Sequence, residues 1–529
     1  MTHLKQLILG VLNMKIRTLL PSALAALLVL SFHPVDAQER RLGWIEFDNS
    51  GTEAAQKSFL EATLLLHSFE FEDAAIEFRA AQNADPDFAL AYWGEAMTYN
   101  HPLWQQQDRA AATAALNRYA PSPDARQAKA PSPREAQYLA AIDVLYGDGD
   151  KGTRDRAYMN AMGRLADAHP EDLEARVFYS LAILGSTDGE RDFATYVRAA
   201  AQALPVSEAN PQHPGAVHYI IHSFDDPVHA PLGLAAARAY SEIAPDAGHA
   251  QHMTSHIFVA MGLWDDLVAA NIRARDVQNG REAELGRRPN VCGHYTSWLH
   301  YGWLQRGEVD AAERGMAECH ERVASGNGDR SEANYFANMR ARHVLDLGDW
   351  DAAARLGADL EAHPLYTFIS GVAAIKSGDR DGAQAALTRL AAGPLNTQPR
   401  LRIAHMELAA LLAQDGGDIE SAIGLLTQAA DLEETLPFEF GPPASVMPPH
   451  EALGAVLLQA GQPRAAADAF RKALDFAPER MASLIGLAAA SLQSGDEATA
   501  QSASERLSLQ VRFADAAFRQ RMGFDGGRN

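Results

Sequence analysis

The chain is poorest in cysteine: Cys292 and Cys319 are all it has in 529 residues. Disulfides can therefore supply at most one bridge, and the fold must rest on a buried core. Basic residues are also short, 46 against 68 acidic ones, for a net charge of −22. That balance argues against nucleic acid and anionic lipid as partners, because both need positive charge on the protein. Glycine and proline are not in excess and 47% of residues are hydrophobic, which excludes a disordered chain and permits a substantial core. No period-2 strand pattern stands out, nor does a glycine-rich phosphate loop. The HEXXH pattern is absent, so the usual metalloprotease base is not on offer.

Long apolar runs are also missing, apart from one near the start. There Lys5, Lys15 and Arg17 precede LLPSALAALLVLSF, followed by Val35-Asp36-Ala37, a small-residue cleavage site. The run is too short for a transmembrane helix. It reads as a signal peptide over residues 1–37, with Met14 as a second possible start and Gln38 as the first mature residue. The expected location is periplasmic or secreted, with no membrane insertion after cleavage. An oxidising compartment would permit a bridge between the two cysteines.

What the chain does have is a period. LGAVLLQAGQPRAAADAFRKALDFAP places Leu453, Gly454, Gly461, Ala466, Phe470, Ala473 and Pro478 at the spacings of a helix-turn-helix unit, and Gly495 and Ala500 repeat Gly461 and Ala466 34 residues later. Ala74, Phe78, Ala81 and Pro86 fit the same template, and weaker copies surround Gly307, Gly348 and Gly378. Small residues let two helices approach, and the proline ends the second. The pattern resembles the tetratricopeptide repeat (TPR) family. The stretches AYWGEAMTYNHPLW, HYIIHSFDDP and HMTSHIF are similar to exported bacterial TPR proteins with a histidine-rich centre. The resemblance implies an all-α, right-handed superhelix of helix-turn-helix repeats, each packed on its neighbours.

Proline spacing interrupts this array twice, so the expected organisation has seven parts. They are the signal (1–37), N-terminal repeats (38–118), a Pro/Ala-rich linker (119–135) and a central array (136–435). A Pro-rich insert (436–449), a C-terminal pair (450–515) and a tail (516–529) follow.

Seven of the nineteen histidines fall within residues 213–256. Taking Pro245 as a helix-ending proline and Gly262 as a turn glycine gives one register, with units starting at Pro214 and Gly248. His218 and His222 then occupy positions five and nine of one repeat, and His252 and His256 the same positions of the next. His249 falls at position two and Asp225 at position twelve. In TPR proteins these positions face the concave groove, so the resemblance implies that all six line one surface. Helical geometry independently places His218 with His222, and His249 with His252 and His256, on single helix faces.

First helices of neighbouring repeats run about 10 Å apart, and an imidazole nitrogen binds a metal at about 2 Å. Two pairs facing across that gap can close on one divalent ion, with zinc, copper and iron as the metals considered. Asp225 suits either a direct ligand or the carboxylate that orients one. Asp226 precedes Pro227 and reads as a turn residue, and His213 and His229 read as peripheral. An isolated histidine on a helix is ordinarily a packing or surface residue, and His169, His320, His343, His363 and His405 are read so.

A second set of candidate ligand-binding residues is weaker. His67 and His101 differ by 34 residues and lie near Trp93, Glu95 and Trp104, where TPR packing of aromatics and a helix stop before Pro102 are the preferred explanation. His294 sits at position two of the following unit, and Asn338 and Arg342 at groove positions of the Gly348 unit. Cys292 precedes a first helix and Cys319 lies near the end of its partner helix, so a hairpin would bring them together. Three functional classes fit: a binding protein with a metal in its groove that takes a ligand or partner peptide, a metal-dependent enzyme with an open coordination position, and a metal-free interaction scaffold.

Overall fold

The computed structural model describes residues 40–187, 191–326, 328–355 and 363–521. The expected signal peptide and the last eight residues lie outside them. Among the described residues the chain is an all-α, TPR-like superhelix of 26 α-helices. The exceptions are short 3₁₀ turns and two two-residue strands, Asn100–His101 and Gln106–Gln107, paired antiparallel. No described helix is long and apolar enough to cross a membrane.

Helix Pro463–Phe476 illustrates why these residues form these elements. Proline at the first turn costs no hydrogen bond there. Ala466, Ala467, Phe470 and Ala473 recur at helical spacing and, with Ala469, are the buried ones. Its partner helix, Pro449–Gln459, comes so close that a Cβ on Gly454 would lie 2.9 Å from the Phe470 ring. The chain between the two helices turns through Gly461, whose φ is +72°. The turn glycines read from the repeat pattern at 262, 307, 348, 378 and 495 likewise all have positive φ, a conformation glycine adopts without penalty.

The unit starts also fall where the register puts them. Helices run Pro214–Phe224, Gly248–Ala260 and His294–Arg306, each followed by a partner: Ala230–Ile243, Trp264–Glu284 and Val309–Ala324. In the 119–135 stretch the prolines start helices rather than opening a linker. Ser122 and Ser132 cap Pro123–Lys129 and Pro133–Leu145 with side-chain hydrogen bonds. Cys292 and Cys319 are disulfide-bonded across the Val309–Ala324 hairpin, their Cα atoms 4.5 Å apart.

Contacts remote in sequence fill the interior that an open TPR groove would leave free. The first hairpin, Glu53–His67 with Phe71–Ala84, packs against the Pro214–Phe224 helix and is tied to the centre by the Arg281–Asp73 ion pair at 2.8 Å. From the other end, the Trp264 indole donates to the Glu479 carbonyl at 3.1 Å, and Arg480 pairs with both Asp346 and Glu451. The histidines expected on an open groove are consequently interior: His218, His222, His252 and His256 are all buried, and His249 and His294 are half-buried.

Candidate metal centre

Three parallel first helices deliver six imidazoles. Helix Pro214–Phe224 carries His218 and His222, Gly248–Ala260 carries His249, His252 and His256, and His294 begins His294–Arg306. Ligand atoms of His218, His222 and His249 all lie within 4.8 Å of one another, and so do those of His252, His256 and His294. The expected grouping set the two i, i+4 pairs around one ion, with His249 and Asp225 as further candidates. Each i, i+4 pair is completed by position two of the following first helix, and the pairs also meet directly, with ligand atoms of His222, Asp225 and His256 within 4.8 Å of one another. That completion follows from axial offset, since the N-terminal turn of one helix lies beside the middle of its predecessor.

Hydrogen bonds fix which nitrogen is engaged in three of the six rings, His218, His252 and His256. The His218 Nδ1–H donates to the His67 carbonyl at 2.6 Å, leaving Nε2 as a lone pair with no partner. The Nδ1 atoms of His256 and His222 lie 3.0 and 3.5 Å from the same Asp225 oxygen. A carboxylate accepts only, so the His256 Nδ1 carries the proton. His252 donates from Nδ1 to Asn271 Oδ1 at 2.7 Å, and the Asn271 amide is oriented by donating to the Leu267 carbonyl.

The free nitrogens then meet. His252 Nε2 and His256 Nε2 are 3.2 Å apart, each ring having its proton on the other nitrogen. Two lone pairs at that distance repel unless a cation or a proton sits between them. Two nitrogens on one tetrahedral ion, each at about 2 Å, lie roughly 3.3 Å apart. In the first set, the Nε2 atoms of His218, His222 and His249 are all buried without partners, and an orphaned buried polar atom is costly.

Burial disfavours charge on His218, His222, His249, His252 and His294. It holds His218, His249 and His252 well below the usual histidine range, with neighbouring imidazoles adding to the effect. It brings His222 down to about 4 despite Asp225, and His294 down to about 3 with help from His256. Burial alone would raise the Asp225 carboxyl, but Arg191, at 2.6 Å, and the two imidazoles outweigh it and hold it ionised. Arg191 takes one oxygen of Asp225, and the other oxygen faces the Nδ1 atoms of His222 and His256.

Aromatic rings seal both sets. Phe69 stands 4.4 Å from His218 and 5.4 Å from His249, and is itself held at φ +55°, a strained backbone for a bulky residue. Trp298 stacks on His256 at 4.7 Å, and Phe440 of the Pro-rich insert stacks on its other neighbourhood at 5.2 Å. A Cβ on Gly441 would lie 2.5 Å from Trp298, so only glycine lets the insert lie this close. A cavity of about 300 Å³ adjoins the site, lined by Arg191, Tyr196, Arg400 and Phe440 among others.

The remaining candidates have other places. His67 donates to Glu174 at 2.8 Å and accepts from the Tyr219 hydroxyl at 3.0 Å, while His213 donates to the other Glu174 oxygen and caps its own helix. Trp93 is core, and Glu95 is paired with Arg79 and Arg118. His101 stacks on Phe71 at 4.0 Å, and Trp104 edges His249 at 6.0 Å. Arg342 does not face a free groove: it donates to the Pro443 carbonyl and stacks on Tyr301, anchoring the insert. The Asn338 amide donates to Asn334 one turn back. Asp226 caps the turn and binds His229. Arg191, Asn271, Trp298, Phe69 and Phe440 were not singled out in the sequence; none carries a local pattern, because each arrives from a different element.

No protein-family model matches the chain, and no curated protein sequence does. Solved structures with a similar arrangement of helices include a human IFIT1 dimer with m7Gppp-AAAA, 14% identical over 88% of this chain and 92% of that one, with a TM-score of 0.31. Yeast Tom70 is 12% identical over 89% and 92%, with a TM-score of 0.31, and the P58(IPK) TPR domain is 11% identical over 84% and 98%, with a TM-score of 0.23.

Proposed function

We propose that this chain is an exported TPR-like binding protein whose interior holds a divalent transition metal through the histidines of its central repeats. The observation that carries the reading is the convergence of imidazole nitrogens: His252 Nε2 and His256 Nε2 lie 3.2 Å apart with their Nδ1 atoms facing Asn271 and Asp225, and the Nε2 atoms of His218, His222 and His249 are buried without partners. An all-imidazole donor set selects zinc, copper or another borderline ion over magnesium or calcium. The His67 carbonyl, Asp225 and Asn271 do the orienting. Export is supported by the basic and apolar N-terminal pattern and by the disulfide. The helical hairpins around the site are of the kind TPR proteins use to hold partners, and a protein or peptide is the expected partner class.

The test is elemental analysis of protein produced without a histidine tag in metal-replete medium. Stoichiometric transition metal is expected, and His222→Ala with His256→Ala should release it. Metal-free wild type at neutral pH sinks the reading. A second reading, a metal-dependent enzyme, draws on the cavity lined by Arg191 and Phe440, side chains that also touch the histidine groups. It requires turnover of a small substrate that disappears with the metal and with Phe440→Trp, which would fill the cavity mouth.

A further inference from the structure

We propose that the centre is dinuclear, one ion held by His218, His222 and His249 and a second by His252, His256 and His294. This deepens the metal-binding reading above and rests on it. The argument is the repeat itself. Each set consists of positions five and nine of one first helix and position two of the next, so the second set is the first translated by one TPR unit. A single ion shared by the two i, i+4 pairs would leave His249 and His294 without a role. Instead each of those two supplies the third nitrogen of its set.

The surroundings are duplicated as well. In the first set His218 is oriented by the His67 carbonyl; in the second His252 is oriented by Asn271. Asp225 sits between the sets with one oxygen facing the Nδ1 of His222 and of His256, one histidine from each. Aromatic covers are separate: Phe69 lies over the first set, Trp298 over the second. The rings of His222 and His256 stand 5.7 Å apart edge to face, so the two centres are neighbours rather than remote sites.

Three imidazoles leave a divalent ion short of its usual four ligands. The one nearby carboxylate placed between the sets, Asp225, is already paired with Arg191. Two ions therefore bring an excess of positive charge and leave each ion with an open position. The ligand class this fits is a small oxygen donor, such as hydroxide or another small anion, bridging the pair. The tether on the second set is covalent: Cys292, two residues before His294, is bonded to Cys319 and fixes the start of the helix that delivers the sixth nitrogen.

The experiment is titration of the chelated, untagged full chain with Cu(II) alone and with Zn(II) alone, read by calorimetry and elemental analysis, followed by His249→Ala and His294→Ala. Two ions per chain are expected for wild type, one for each single variant and none tightly held by the double variant. Both substituted residues are only half-buried, and circular dichroism of the metal-free variants checks that they fold. With two Cu(II) bound, the integrated paramagnetic resonance intensity should fall well below the bound copper, and each single variant should recover the full signal of its one ion. One ion in wild type, retained by both variants, overturns the dinuclear assignment and leaves the metal-binding reading intact. Two ions retained by either variant overturn the partition of ligands. No ion at all overturns the earlier reading too. The wild-type stoichiometry decides between these even if a variant does not fold.

Discussion

Two buried histidine clusters lie side by side in this molecule, and they are opposites. In the first, His67 and His213 share the two oxygens of Glu174, the second nitrogen of His67 accepts from Tyr219 and that of His213 from the Ala216 amide. Every nitrogen is used. In the second, only one nitrogen of each fixed ring is used, and the others converge on each other. Residue type is the same in both and most of the rings in each are buried, so neither property predicts a metal. What separates them is whether the lone pairs have donors. Glu174 gives one oxygen to each ring of its cluster, whereas Asp225 faces only the Nδ1 atoms of His222 and His256 and leaves the Nε2 atoms without a carboxylate.

The largest effect expected from this difference is in acid. In chelated protein, His218, His222, His249, His252 and His294 are all held below the ordinary histidine value. The unfolded chain takes up protons near pH 6.5 that these rings refuse. Stability should therefore be intact above that pH and fall below it, by about 1.4 kcal/mol per pH unit for each ring that stays neutral. The Glu174 carboxyl, which burial would raise but His67 and His213 bring down to about 2, contributes stability that is present above its unfolded value and lost only as pH falls toward 2. Urea unfolding from pH 7.5 to 5 checks this, and a flat profile would mean the histidine lone pairs are not starved of partners.

Next in size is Glu174→Ala, which strands two imidazoles and should destabilise by about 3–5 kcal/mol while leaving the bound metal unchanged. Loss of metal at the permissive temperature would erase the distinction between the clusters. Metal itself, at roughly a thousand times its dissociation constant, should stabilise wild type by about 4 kcal/mol, measured as a chelator-sensitive shift of the unfolding midpoint. It should do nothing for the His222→Ala, His256→Ala variant.

Removing the disulfide with Cys292→Ser and Cys319→Ser should cost about 3.5 kcal/mol through its 27-residue separation. It should also weaken loading of the His294 set before the His218 set, which calorimetry resolves. The smallest effect expected is from Asp225→Asn: about 10–100-fold weaker metal binding with both ligand sets still present. A complete loss of metal there would make Asp225 a direct ligand.

Much of this was legible in the chain. Proline, glycine and alanine at TPR spacings placed the helix starts at Pro214 and Gly248 and the turns at Gly262, Gly307 and Gly495, because those residues act through local backbone geometry. The i, i+4 pairs were legible for the same reason. The partition of the six histidines was not, since it depends on the axial offset between neighbouring helices, which no spacing within one helix encodes. Arg342 was expected in a groove and instead holds the insert, whose path over Trp298 depends on the whole superhelix.

By itself, then, the sequence determined the repeat, its register and which residues share a helix face, all consequences of contacts between residues a few positions apart. Tertiary structure alone decided that the groove is filled, that Phe69 and Phe440 cover the histidines from opposite ends of the chain, and which ring nitrogens are left bare. Those outcomes rest on hydrogen bonds between groups as far apart as His218 and His67, and a proton's position on an imidazole follows from the partner that the fold brings to it.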